Sequence, residues 1–479
     1  MAAPLLLAAG CALGPNYHRP AEEVPEAYRF EANPTPGSFA DQGWWQVYQD
    51  PTLQALLADA LAHNLDVRIA ATRIEQAAAA LGATRLQQLP QVAVSFSAER
   101  ARTSQYILPP GEPPINNTFA AQGSLSYEFD FWGKYRRASE AARAQLLSTE
   151  YARDDVTAGL IASVATAYFT LQTLDEQVDI TQRTIETRRK FVELTSGQHE
   201  RGTVSGLDVA TAEAQLAVAD ASLPDLERQI GQLENQLSVL LGHNPGPILR
   251  TAEGALKRLG SSGSPPVPPV GLPSSLLERR PDLREAEQNL VAANAQVGVA
   301  KANLFPTISL TAASGGVSTA LSNLFTAPAH TWSLAGSVLQ PLLDSQRSLY
   351  QLDLANAQKR QALLLYEQRV RTAFEEVSDA LIARQKTAEV QRALQTGVDA
   401  QRKANTIALA RYRVGSASYF DVINADRDLY NAELALSTAH LNTLLSVVQL
   451  YRALGGGWQS QPTAGSESPP TGDAASAHP

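Results

Sequence analysis

Residues 278–310 read ERRPDLREAEQNLVAANAQVGVAKANLFPTISL, and this stretch decides the fold. Its first part is rich in Ala, Glu, Gln and Leu, and no proline interrupts it between Pro281 and Pro306, which favours a helix. Pro306 ends that helix, because proline lacks an amide donor and pushes the preceding residue out of helical geometry. Ile308 and Leu310 then alternate with polar residues, which predicts a strand.

The same helix–strand unit occurs earlier in the chain. Constant offsets relate landmarks of the two halves: 216 residues for Asp66/Asp282, Arg68/Arg284 and Pro90/Pro306, and 213 residues for Gly202/Gly415 and Asp208/Asp421. A fixed spacing across several landmarks indicates an internal duplication, which has to be recognised before a fold is assigned.

Composition limits the class of protein. The chain has 479 residues, which fits two copies of about 200 residues better than three unrelated domains. Its net charge of −9 argues against a nucleic-acid surface. No apolar run approaches the roughly 20 residues of a membrane-spanning helix. Entry into a membrane would therefore require strands or a lipid.

Cys11 is the only cysteine, so disulfides within the chain and cysteine-based metal sites are excluded. The preceding residues 5–10 read LLLAAG, an apolar run followed by small residues, as in a bacterial lipoprotein signal. In such a signal the thiol takes a diacylglycerol and becomes the new N-terminus. We expect a lipidated Cys11, with about 0.8 kcal/mol of anchoring per buried methylene. A stray buried cysteine near a frayed terminus is the alternative.

The chain is predicted to contain six parts. These are a lipoprotein signal at 1–11, an extended Pro-rich arm at 12–50, a first repeat at 51–242, a Pro/Gly-rich linker at 243–274, a second repeat at 275–454 and a disordered tail at 455–479. Each repeat is predicted to contain a first helix (51–89 and 275–304), two strands (91–100 and 119–129; 307–317 and 331–340) and a long helical hairpin (135–241 and 345–454).

The strands are about ten residues long, the length of a tilted transmembrane strand. They are apolar on one face and small and polar on the other, as in a barrel with lipid outside and water inside. A soluble sheet with one buried face is the alternative. Four strands cannot close a barrel, because even small barrels need about eight. We therefore expect a homo-oligomer whose copies share one barrel and one helical bundle.

Several motifs carry a family resemblance. They are residues 278–287 (ERRPDLREAE), 295–302 (AQVGVAKA), Phe305-Pro306, 14–20 (GPNYHRP), Trp132-Gly133 and 412–415 (YRVG). Together they resemble the TolC-like outer membrane factors, in particular the lipoprotein branch typified by NodT and OprM. The resemblance covers nearly the whole chain except the tail.

The resemblance implies a fold class that is mainly α with a transmembrane β-barrel. Three copies would form a twelve-stranded outer-membrane barrel continued by a helical periplasmic tunnel. It also implies the exit duct of a tripartite efflux pump for small molecules in the outer membrane of a Gram-negative bacterium. The implied partners are the other two copies, a periplasmic adaptor, an inner-membrane RND-type transporter and outer-membrane lipid. No enzyme activity, cofactor or metal site is expected.

The turns after the long helices are the candidate functional sites. Ser205-x-x-Asp208 and Ser418-x-x-Asp421 match capping boxes, which alone account for both Ser–Asp pairs. By the resemblance, these turns lie at the periplasmic tip, where the tunnel narrows and the adaptor docks. Candidate tip and gate residues are Asp208, Tyr412, Gly415, Asp421, Asn424, Asp426 and Arg427, with Gly202 and Gly415 as turn glycines. Threefold symmetry would arrange acidic side chains as rings that attract cations.

Other function classes fit less well. The seven histidines are scattered, and the chain has no zinc-protease helix, phosphate loop or nucleophile elbow, which argues against an enzyme. A periplasmic coiled-coil adaptor would use the long helices, but it has no need of two pairs of amphipathic strands. Protein secretion by a type I system and metal-ion efflux remain alternatives for the cargo. The single Met gives no support for a soft-metal relay.

Overall fold

The structure is a computed structural model that describes residues 12–21, 23–30, 37–248, 269–340 and 345–459. Cys11, residues 249–268 of the predicted linker and residues 460–479 of the predicted tail lie outside the described residues, so the predictions made for them stay predictions. The predicted disordered tail is wrong at its start: Gly455 is buried, and its carbonyl accepts a hydrogen bond from Trp458 Nε1 (2.9 Å).

The two halves of the chain have the same order of elements. In the first half these are α1 (Pro51–His63), α2 (Leu65–Leu86), β1 (Gln91–Arg102), β2 (Ile115–Glu128), α3 (Lys134–Glu200) and α4 (Gly206–Leu240). In the second half they are α5 (Pro273–Arg279), α6 (Pro281–Ala302), β3 (Thr307–Ser318), β4 (His330–Leu339), α7 (Ser345–Arg413) and α8 (Tyr419–Ala453). Both α2 and α6 have 22 residues, and both α4 and α8 have 35.

The prediction of one continuous helix before each strand pair is wrong. Asn64 leaves helical geometry, with φ −57° and ψ 132°, and its Oδ1 accepts hydrogen bonds from the amides of Asp66 (2.8 Å) and Val67 (3.1 Å). It therefore ends α1 and caps α2. In the second copy the helix is interrupted at Arg280, between α5 and α6. The reason is that a residue before proline avoids the helical region, while Pro281 is well suited to start a helix.

The second predicted strand also begins earlier than expected, at Ile115 instead of residue 119. Ile115 pairs with Arg102, and the neighbouring asparagines continue the ladder beyond the apolar positions. The apolar alternation identified residues 119–128 of this strand but not its first four residues, because there the backbone pairing extends through Asn116 and Asn117.

The chain divides into two compact units. The first draws on the described residues of Met1–Glu22, Ala71–Ala152 and Asp282–Arg369, and the second on those of Glu23–Ala70, Arg153–Pro281 and Val370–Pro479. The first unit contains the whole sheet, and the second contains the turns of both helical hairpins.

In the first unit the strands form one antiparallel sheet in the order β1-β2-β3-β4, so one strand from each repeat lies at the centre. One cross-strand row consists of Val92, Leu125, Ala312 and Leu334, and the next row consists of Ala93, Ser124, Ala313 and Ser333. Because successive residues point to opposite faces, the register gives the sheet one apolar face and one small, polar face.

The apolar face of this sheet is exposed in the single chain. The exposed fraction reaches 85% for Val94 and 72% for Trp332. Among the described residues, β1 and β4 each pair with a strand on one side only. An apolar face and two open edges are features that a soluble monomer avoids.

The first part of the predicted arm, residues 12–21, is bound to the first unit by polar contacts. The Leu13 amide donates to the Trp132 carbonyl (3.0 Å), and Asn294 Nδ2 donates to the Pro15 carbonyl (2.8 Å). Arg19 forms a two-point ion pair with Glu287. The arm motif recognised in the sequence is therefore a docked segment of the first unit.

In the second unit the main core surrounds α3. Apolar residues recur at intervals of three and four along this helix, a spacing that predicts an apolar seam. Leu160, Val164 and Leu171 belong to that seam and are buried. Tyr168 lies beside them, and its hydroxyl group donates a hydrogen bond to Asp50 Oδ2 (3.0 Å). By length and composition α3 could span a membrane, but 61% of its apolar window is buried, as in a core helix.

A pair of equivalent glycines tests the docking of the arm. A Cβ at Gly298 would lie 2.8 Å from the Leu13 carbonyl oxygen and from Arg137 Cγ. We expect Gly298→Ala to displace the arm and to increase its cleavage by a protease. Its duplicate Gly82 has nothing within 4 Å of such a Cβ, so Gly82→Ala should leave the arm protected and stabilise α2 by about 1 kcal/mol. Equal cleavage in the two variants would contradict this account.

Candidate functional site

The two helical hairpins of the second unit end in turns of the same construction. Gly202 has φ +72° and Gly415 has φ +74°, a region that favours glycine. The Gly202 amide donates to the His199 carbonyl (2.8 Å), and the Gly415 amide donates to the Tyr412 carbonyl (2.9 Å). These bonds satisfy the last carbonyls of α3 and α7, so both long helices end sharply.

Both predicted capping boxes are present. In each box the serine amide donates to the aspartate Oδ2 at 3.0 Å, and the aspartate amide donates back to the serine Oγ at 3.3 Å. The hydrogen bond from the Ser418 hydroxyl group is the largest cause of a lowered pKa at Asp421. Because the pKa is lowered in the folded state, the stability that this contact contributes is fully present above the usual carboxyl pKa. It is lost as the pH falls through the folded-state pKa.

Aromatic rings join the two hairpins near the turns. The Phe191 ring lies 5.5 Å from Tyr419 and 6.0 Å from Tyr412, measured between centroids. The Tyr412 hydroxyl group donates to Gln198 Oε1 (2.8 Å). Burial is the main cause that raises the pKa of Tyr419 to about 12, so this phenol is neutral at physiological pH. The cluster therefore holds α3 and α7 together without charge.

One turn deeper, Arg188 of α3 binds two other helices. Its Nε donates to Asp426 Oδ2 of α8 (2.8 Å), and its Nη1 donates to the Gln215 carbonyl of α4 (2.8 Å). The guanidinium group also lies over the Tyr430 ring, 5.4 Å from its centroid. The Arg188 side chain is only 6% exposed and that of Asp426 20%. Breaking a pair as buried as this one leaves an uncompensated charge, which is strongly destabilising.

The candidate residues from the sequence divide into three groups. Asp208 and Asp421 cap helices, and Gly202 and Gly415 form the turns. Tyr412 and Asp426 are packed against the other hairpin. Asn424 is half-buried, and Arg427 pairs on the surface with its neighbour Asp428 (3.1 Å).

Sequence reasoning missed Arg188. It has no acidic residue three or four positions away in α3, so no partner within its own helix accounts for its charge. The sequence therefore showed an arginine without an acidic partner in its own helix. It could not identify the partner, because Asp426 lies 238 residues further along the chain.

The turns also expose apolar side chains. Leu207, Val414 and Phe420 have exposed fractions of 75%, 78% and 68%. All three lie within five residues of a turn glycine or of a capping serine. Exposed apolar groups clustered at such ends are typical of a surface that contacts another protein.

Relatives resemble the chain over almost its whole length. The antibiotic efflux pump outer membrane protein ArpC and the toluene efflux pump outer membrane protein TtgC, both of Pseudomonas putida, are 35% identical to it over 470 residues, covering 96% of this chain and 96% of each relative. The probable outer membrane lipoprotein SilC of Salmonella typhimurium is 31% identical, covering 95% of this chain and 97% of SilC.

Solved structures have the same fold. The outer-membrane channel OprN superposes with a TM-score of 0.83 at 28% identity, covering 94% of this chain and 100% of OprN. The MtrE outer membrane channel of Neisseria gonorrhoeae gives a TM-score of 0.83 at 31% identity, covering 94% of this chain and 99% of MtrE. Both solved structures are outer-membrane channels with the fold of this chain, which confirms the predicted fold class.

Fold and relatives together define an outer-membrane channel that serves as the exit duct of tripartite efflux. The family model of outer membrane efflux proteins matches residues 56–243 and 272–456, and the chain belongs to this family. The resemblance read from the sequence motifs, and the outer-membrane location that it implied, are thereby confirmed.

The cap of α8 can be tested directly. We expect Ser418→Ala to speed hydrogen exchange of the first amides of α8 about fivefold, the factor expected for one lost cap. Exchange measured by mass spectrometry would report this. Ser418→Asn keeps a capping acceptor and serves as the matched control. If Ser418→Ala and Ser418→Asn exchanged at the same rate, the cap would not be what holds this turn.

Proposed function

We propose that three copies of this chain close one twelve-stranded barrel and together export small organic molecules across the outer membrane. The observation that supports this proposal is the sheet with an exposed apolar face and open edges at β1 and β4. A bilayer requires every backbone donor and acceptor in its interior to be paired, so the open edges have to meet those of other copies. Such a duct catalyses no reaction.

The proposed cargo and partners follow from the relatives and the turns. The relatives ArpC and TtgC are named for antibiotic and toluene efflux. A periplasmic adaptor would contact the ends of the hairpins, where Leu207, Val414 and Phe420 expose apolar surface. An inner-membrane RND-type transporter would supply the energy, because a passive duct has no energy source of its own.

We place the gate of this duct at the Arg188–Asp426 ion pair. Arg188 binds α4 and α8 at once, so the pair restrains the hairpins against each other at the level of the turns. Asp421, by contrast, is fully exposed and is engaged in the cap of its own helix. Opening would then require the loss of a buried ion pair, which gives the closed state a defined stabilising contact.

Variants of the pair test this gate. We expect Arg188→Ala and Asp426→Ala each to raise single-channel conductance in planar bilayers, because either change releases α8 from α3. Arg188→Ala should also lower the unfolding free energy by about 3 kcal/mol, since it leaves a carboxylate partly buried without its partner. The double variant should conduct no more than either single variant, because both remove the same contact.

The control for this experiment is Arg228→Ala. Arg228 pairs with Asp225 within α4, and both side chains are more than half exposed. This variant loses an arginine and an ion pair without separating helices, so its conductance should equal that of the unaltered protein. Unchanged conductance in both Arg188→Ala and Asp426→Ala would show that the pair is not the gate.

A lipid on Cys11 is the remaining part of the proposal. We expect Cys11→Ala to lack the mass of the acyl chains and still to migrate as a trimer, because the sheet and helices carry the assembly. Intact mass spectrometry and native electrophoresis on the same membrane extract would measure both properties. Loss of the trimer would mean that the lipid, and not the protein surface, holds the copies together.

A further inference from the structure

Three potential metal ligands meet in the second unit, outside the turns described above. His63 Nδ1 lies 2.8 Å from Asp59 Oδ1, and His243 Nε2 lies 2.8 Å from Asp59 Oδ2. The two imidazole rings are 5.3 Å apart between centroids. One ligand atom from each residue lies within 4.8 Å of the other two. The cluster thus places two imidazoles and one carboxylate close enough together to share one ion.

The backbone brings these residues together from distant parts of the chain. Asp59 and His63 are one helical turn apart in α1, which places them on the same face. His243 follows Gly242, which lies two residues beyond the end of α4 and has φ +78°. A Cβ at Gly242 would lie 2.3 Å from the His63 carbonyl oxygen, so only glycine permits this close approach.

Further hydrogen bonds fix the approach of the two helix ends. Asn64 Nδ2 donates to the Leu240 carbonyl (2.9 Å), and the His243 amide donates to the Ser238 carbonyl (2.9 Å). The position of His243 is therefore set by the backbone of α4 and not by its contact with Asp59. A ligand set held in this way loses little freedom when it binds an ion.

The surroundings favour a cation. α1 ends at His63 and α4 ends at Leu240, so the negative ends of two helix dipoles converge at the cluster. Asp59 adds a full negative charge. The three side chains are between 35% and 56% exposed, so an ion from solution can reach them.

We propose that Asp59, His63 and His243 bind one divalent transition-metal ion of the Zn²⁺ type per chain. Two imidazoles and a carboxylate form a three-ligand set that Zn²⁺ accepts, with water as the fourth ligand. Each imidazole would coordinate through its unprotonated nitrogen, and the proton now shared with Asp59 would be released or moved to the other ring nitrogen. The ion would link α1 to the end of α4.

The three residues are separate from the proposed gate, and the metal proposal does not depend on the proposed function. No metal site was expected from the sequence, in which the seven histidines are scattered. His243, 184 residues beyond Asp59, completes the set only after folding.

The test uses the full chain as purified in detergent, with an affinity tag that contains no histidine. Zn²⁺ binding is measured by competition with a chromophoric zinc chelator at about pH 7.5. We expect one saturable ion per chain and a rise in the thermal unfolding temperature on addition of Zn²⁺.

Variants assign the binding to the cluster. His63→Ala and His243→Ala should each weaken Zn²⁺ binding by more than about tenfold and abolish the thermal shift. Asp59→Asn keeps hydrogen bonds to both rings but removes the charge, so it should fold normally and still lose affinity. His18→Ala removes an exposed histidine elsewhere and should change nothing.

Two results would overturn the proposal. One is the absence of saturable Zn²⁺ binding by the unaltered protein. The other is binding that persists at full affinity in both His243→Ala and Asp59→Asn, which would place the ion elsewhere on the chain. Elution of each variant as the same oligomer as the unaltered protein shows that any loss of binding is not a loss of folding.

Discussion

The constraint on which this structure depends is the pairing of backbone groups in a solvent without water. A strand edge inside a bilayer leaves amides and carbonyls without partners, at a cost of several kcal/mol for each group. In the described part of this chain, four strands form a single layer, β1 and β4 are open edges, and no second layer covers the apolar face. Such a sheet cannot be stable as one copy in water or in lipid. The trimer that we propose for it meets this constraint by closing the edges between copies.

Internal duplication explains how one chain supplies these strands and the helices that accompany them. The two repeats have the same six elements, and their β2 and β3 strands pair at the centre of the sheet. Small local differences then give the repeats different tasks. Gly298 permits the arm to dock, whereas its duplicate Gly82 faces open space. Both hairpins keep the same capped turn, because each must reverse direction sharply.

Buried or close-packed polar contacts determine where the helices of the second unit are joined. At the turns this contact is the Arg188 guanidinium group, which binds Asp426 and the Gln215 carbonyl. At the C-terminal ends of α1 and α4 this contact is the group of Asp59 with His63 and His243. The Arg188–Asp426 pair is largely buried and is costly to break. The group of Asp59 with two histidines is open to solvent, and in the proposed metal site it would give up a proton when it binds an ion. Only α4 takes part in both contacts, at its opposite ends. In the proposed gate it would separate from α3 at the turns while its C-terminal end stays joined to α1.

The sequence by itself determined the duplication, the strand–helix order, the capped turns and the family, because each depends on local spacing or on short motifs. It also predicted the seam of α3 from helical periodicity. It failed at Asn64 and Arg280, where a side-chain cap and a pre-proline residue interrupt helices whose composition is uniformly favourable. Only the tertiary structure decided the register that aligns four apolar strand faces, the partner of Arg188, and the meeting of His243 with Asp59 and His63. Each of these joins residues far apart in the chain, and no local pattern records which distant residue a folded backbone will bring into contact.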